Sequence, residues 1–84
     1  MNKRKLLKKI LSGSKNIRFD ELETLVIAFG FHLPHINGSH HMYAHSEIPE
    51  LLNLQDVKGQ TKPYQVAQFI KLIERYDLKL EDEE

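Results

Sequence analysis

All five histidines of this 84-residue chain lie between His32 and His45. The densest part is the stretch Gly38-Ser39-His40-His41-Met42-Tyr43-Ala44-His45. A free imidazole has a pKa of roughly 6.5, so it both takes and gives protons near neutrality. Three chemistries use such a cluster. Neutral imidazoles hold zinc or nickel. A positioned imidazole acts as general base or acid on a phosphodiester. His and Tyr rings also stack on RNA bases with no reaction at all. Spacing argues against the metal: there is no cysteine, no acid lies between His32 and His45, and the His-x-His spacing of a ligating strand is absent. No metal or other cofactor is expected.

RNA carries its own nucleophile, the 2′-hydroxyl. An enzyme that cuts it needs a base, a proton donor for the leaving oxygen, and donors for the phosphate charge. His40 fits the base, and the backbone N–H groups around Gly38 and Ser39 fit the phosphate. The residues alone leave this reading and non-catalytic RNA binding side by side.

These side chains must be held by something. Leu6, Leu7, Ile10 and Leu11 share a stripe, which predicts a helix over Lys3 to Leu11 ended by Ser12-Gly13-Ser14. A second helix is expected from about Asp20, with Asp20 and Glu23 as a capping box, Phe19, Leu22, Leu25, Val26 and Phe29 as its buried stripe, and Gly30 as a left-handed stop. From Phe31 the period falls to two, giving a strand to about Ile36, where Pro34 favours an edge or a bulge. Asn37-Gly38 is a hairpin signal because both residues accept positive φ. Further strands are expected over Ser39 to His45 and Leu51 to Val57, with helix as the rival for the latter. Pro63 belongs to the first turn of a final helix carrying Val66, Phe69, Ile70, Ile73 and Tyr76 inward. The order is α-α-β-β-β-α, an α+β domain with a three-stranded antiparallel sheet and helices on one face.

Side chains alternate along a strand, so His41, Tyr43 and His45 share one face and His40, Met42 and Ala44 the other. Aromatic burial turns Tyr43 inward and His40 outward to the hairpin mouth, although alternation by itself also allows Met42 and Ala44 inside. On this reading Tyr43 is core and His41 a satisfied, partly buried histidine. His35 and His45 are the candidate proton donors.

The length describes a single domain, residues 1–84. Its net charge of zero hides an asymmetry. Lys3, Arg4, Lys5, Lys8, Lys9, Lys15 and Arg18 precede the first acid, Asp20, whereas Asp77 and a tail at 81–84 are acidic. A polyanion is drawn to the basic helix 3–11 and repelled by the tail. Lys5, Lys58 and Lys62 are candidate phosphate contacts, against a default of solvated lysines. No apolar run approaches the roughly 20 residues of a membrane span, and the basic start lacks the apolar core of a signal peptide. A cytoplasmic protein without a membrane partner is expected.

Ala28-Phe29-Gly30-Phe31, followed by Gly38-Ser39-His40-His41-Met42-Tyr43 and by Lys62-Pro63-Tyr64-Gln65-Val66 opening the last helix, resembles the HicA toxins of bacterial toxin–antitoxin pairs. The resemblance runs from about Phe19 to Leu80. It implies a small domain like those that bind double-stranded RNA, acting as a metal-independent endoribonuclease on messenger RNA. It also implies a HicB-type antitoxin as protein partner, covering the histidine. The family's catalytic histidine, the first after Gly-Ser, maps to His40, and its motif glycine maps to Gly38. Beside them, Ser39 as a phosphate donor and His45 as a proton donor are this sequence's own candidates for support. Two positions depart from the family pattern. Asn37 stands where relatives often carry Arg or Lys, and Ala67 where they often carry Arg, so two phosphate contacts are missing.

Overall fold

A computed structural model describes residues 2–13 and 16–80. The acidic tail 81–84, together with Ser14 and Lys15, lies outside the described residues. Three helices, α1 (Lys3–Leu11), α2 (Phe19–Ala28) and α3 (Pro63–Tyr76), and three strands, β1 (His32–Asn37), β2 (His40–Ala44) and β3 (Leu52–Gln55), follow in the order α1-α2-β1-β2-β3-α3. The sheet is antiparallel, ordered β1-β2-β3, and the helices cover one face of it. The expected α+β arrangement is the observed one, and the third strand is a strand.

The core lies between helices and sheet. Leu22, Leu25, Val26, Tyr43, Leu52, Leu54 and Phe69 are fully buried there. Phe69 meets Phe29 edge-on at 5.5 Å between centroids and Phe31 at 6.2 Å, a geometry that adds to burial. Leu6 and Ile10 bury one side of α1. Lys9 ties that helix to α2 through a 3.1 Å ion pair with Glu21.

Three local expectations shift. α2 begins at Phe19 rather than Asp20, because Glu21, not Glu23, folds back to accept the Arg18 backbone N–H at 3.0 Å. That hydrogen bond, followed by Lys9, holds the Glu21 carboxyl below its ordinary range. β2 and β3 are also shorter than expected at their ends, and β1 is shifted one residue toward the C-terminus. Finally, Asn37 pairs with His40, so the hairpin turn is Gly38-Ser39 and not Asn37-Gly38. Of those two turn residues only Gly38 has a positive φ, 63°, which marks the type II′ geometry with glycine first.

Pro34 behaves as expected. β1 is an edge strand, and its pairing shifts between His32 and His35, around the residue that has no N–H to donate. Gly30 (φ 99°) ends α2, and Asp77 (φ 51°) ends α3. Among the described residues no helix is long and apolar enough to cross a membrane.

Candidate nucleic-acid interface

β2 divides the histidines by parity. His41 pairs with Ile36 and Leu54, and Tyr43 with Leu52, on the helical side. His40, opposite Asn37 and Gln55, and Met42, opposite His35 and Asn53, face outward. His32, opposite Ala44, joins them. The open face of the sheet therefore displays His32, His35 and His40, all exposed.

His40 stands beside the turn. Its Nδ1 lies 3.3 Å from Asn53 Oδ1. When the amide oxygen accepts from Nδ1 of the neutral ring, the Nε2 lone pair is left to take another proton. Asn53 was invisible to motif reading. Only the register that sets Met42 against Asn53 brings it to the histidine. The turn itself is anchored to the end of β3: the Asp56 N–H donates to the Ser39 carbonyl at 2.9 Å, and Gln55 Nε2 to the Ser39 hydroxyl at 3.4 Å. Gly38 is open to solvent on the side where a side chain would stand.

The inward histidines are spent on structure. His41 donates from Nδ1 to the Ser39 carbonyl at 3.3 Å and packs on Phe19, 4.8 Å between centroids, with Tyr43 stacked below. His45 is 7 % exposed. Its Nε2–H donates to the Phe29 carbonyl at 3.0 Å, and its Nδ1 accepts the Glu47 backbone N–H at 3.1 Å. With both nitrogens engaged, the expected supporting role of His45 in catalysis does not fit this geometry. It pins the Ala44–Ile48 corner to the end of α2. Tyr43 donates to Glu23 Oε2 at 2.5 Å. Burial first, and this carboxylate second, push its phenol well above the ordinary range.

The three candidate lysines do not converge. Lys58 sits in the tight turn joining Val57 to Gln60, just past the point where β3 meets the hairpin. Lys62 stands at the N-cap position of α3, without a side-chain capping bond. Lys5 rides on α1, on the helical side, away from His40. All three are exposed. Among the described residues no group of three His, Asp or Glu side chains is arranged to hold a metal ion. The geometry offers a shallow outer face bearing one oriented imidazole, two neighbouring ones, and amides at Asn37, Asn53 and Gln55. No family model, curated protein or solved structure matches the chain.

Proposed function

We propose that this chain is a metal-independent endoribonuclease of the HicA toxin type, cutting messenger RNA with His40 as general base. One observation carries the reading: an exposed imidazole beside a Gly-Ser turn, with Nδ1 tied to Asn53 and Nε2 free. Nε2 takes the proton of a ribose 2′-hydroxyl, the oxygen attacks the adjacent phosphorus, and the 5′-oxygen leaves with a proton, giving a 2′,3′-cyclic phosphate and a 5′-hydroxyl end. Of the two candidate donors, His35 shares the outer face with His40, diagonally across the β1–β2 pair, at roughly 7–8 Å, somewhat less between Cβ atoms. The Gly38–Ser39 turn and Lys58 supply donors for the phosphate charge. A HicB-type antitoxin covers the same face and excludes RNA. The setting is the cytoplasm, with no membrane partner.

The test is purified protein with RNA in EDTA. The parent yields cyclic-phosphate ends, and His40→Ala yields none while keeping its circular dichroism and melting temperature. Cleavage by His40→Ala at the parent rate sinks the assignment. A second reading, RNA binding by this face without reaction, draws support from the commitment of both His45 nitrogens. It predicts salt-dependent binding and no product from either protein.

A further inference from the structure

On the opposite side of the molecule, α1 and α3 do not close on each other. Two clefts of about 240 and 230 Å³ open along the seam, and Ile70 lines both. The first is walled by Ile10, Ile17, Val66 and Ala67. The second is walled by Leu7, Leu11, Ile73 and Leu78. Together they form one apolar trough that follows α3 from Pro63 to Ile73, roughly 15 Å at 1.5 Å per residue. Leu11 on its wall is 58 % exposed, so an occupant of the trough would bury it.

The rim is cationic. α1 has no acid anywhere along its length. Arg4 and Lys8 form the i, i+4 row next to Leu7 and Leu11. Both are exposed, and among the described residues neither makes an ion pair. Exposed Lys71 follows Ile70 on the α3 side, where Glu74 is the one acid lining the trough. Lys79, also at this end, is paired with Asp77 at 3.0 Å. Phosphate gains nothing from a leucine and isoleucine floor. The one ring in that floor, Phe29, is buried and offers no stacking platform.

We infer that the α1–α3 trough is a docking site for a short amphipathic helix of a partner protein, with an apolar i, i+3, i+7 stripe flanked by Asp and Glu. The stripe fills the two clefts on either side of Ile70, and the acids meet Arg4, Lys8 and Lys71. The site lies behind the sheet from His40, so it does not depend on the ribonuclease reading. A partner held there leaves the outer face open.

The probe is a fluorescent helical peptide of about 14 residues, roughly 20 Å long, with a leucine stripe and glutamate flanks, titrated into the full chain by anisotropy. Saturable binding is expected. Leu11→Glu and Ala67→Glu, both at exposed positions, are expected to weaken it about tenfold or more. Lys8→Glu should weaken it severalfold, and added salt should do the same. RNA cleavage is expected to be unchanged by saturating peptide. Four results overturn the inference: no binding up to millimolar peptide, equal binding of a lysine-flanked peptide with the same stripe, displacement of the peptide by an RNA oligonucleotide, or self-association of the parent that Leu11→Glu abolishes. Loss of cleavage activity in His40→Ala with peptide binding intact separates this site from the proposed reaction.

Discussion

The two faces of β2 hold the same kind of side chain under opposite rules. Inward, His41 rests on Phe19 and Tyr43, Tyr43 is fully buried against Glu23, and at the strand's end His45 has both nitrogens engaged. Outward, His40 has a single long hydrogen bond to an exposed amide, and His32 and His35 stand in solvent. A one-residue step along the chain moves an imidazole from a packed position to an open one. Histidine count therefore predicts little, whereas parity relative to one buried aromatic predicts a good deal.

The comparison breaks most visibly in stability. Tyr43→Ala removes a fully buried ring and leaves Glu23 unpartnered. It should cost about 3–5 kcal/mol, which in a domain this small approaches the whole folding free energy. His40→Ala, one parity step short of the same side, should stay within about 0.5 kcal/mol of the parent. Urea denaturation of the two variants measures both. Equal losses would mean that the faces are not energetically distinct.

His45→Ala comes next. It leaves the Phe29 carbonyl and the Glu47 N–H without their partner and opens space beside Phe31, whose ring lies 5.0 Å from the imidazole. A loss of about 1–3 kcal/mol is expected, with RNA cleavage at low temperature unchanged. A folded, stable, inactive His45→Ala protein would return that residue to the catalytic set.

Parity was legible from the chain because Tyr43 is the one large aromatic in the histidine stretch, and burying it decides every neighbour. Pro34 and Gly30 were legible for backbone reasons. The start of α2 was not. Asp20-x-x-Glu23 reads as the box, but tertiary contact sets the start one residue earlier: the Phe19 N–H is taken by the Gly59 carbonyl at 2.9 Å, and Arg18 bridges Gln60. Asn53 was hidden for a similar reason. Alternation tells which face a residue takes, but only pairing across strands tells which neighbour it meets.

The inner face also carries a pH signature. The folded-state pKa of Tyr43 is raised above its unfolded value of about 10, chiefly by burial. Its contribution is therefore fully present below pH 10 or so and is lost as pH rises beyond that, when the unfolded phenol ionises and the folded one does not. Relative to the parent, Tyr43→Phe should cost about 1.5 kcal/mol near neutrality, the low end for a hydrogen bond to a charged group, because Glu23 is only half-buried. That deficit should shrink with alkaline pH as the parent declines. Chemical denaturation at neutral and alkaline pH gives the difference directly, and a gap that widens with pH contradicts the sign.

The smallest effect probes the border between the faces. Lys58 and Gly59 form a two-residue turn with φ of 53° and 82°, closed by Val57 and Gln60 exchanging both hydrogen bonds. Two positive φ values define the type I′ turn, where asparagine followed by glycine is preferred and lysine is not. Lys58→Asn should therefore stabilise the fold by about 0.5–1 kcal/mol, with the Gly59–Asp56 hydrogen bond at 2.8 Å retained. A strained lysine kept beside the hairpin tip makes sense if its charge is used. Asparagine at 58 should then weaken RNA binding and lower the salt slope by about one unit. A rise in melting temperature together with a fall in RNA affinity is the expected pattern. If both rise, Lys58 is a solvated turn residue, and the outer face must neutralise phosphate with backbone donors and imidazoles alone.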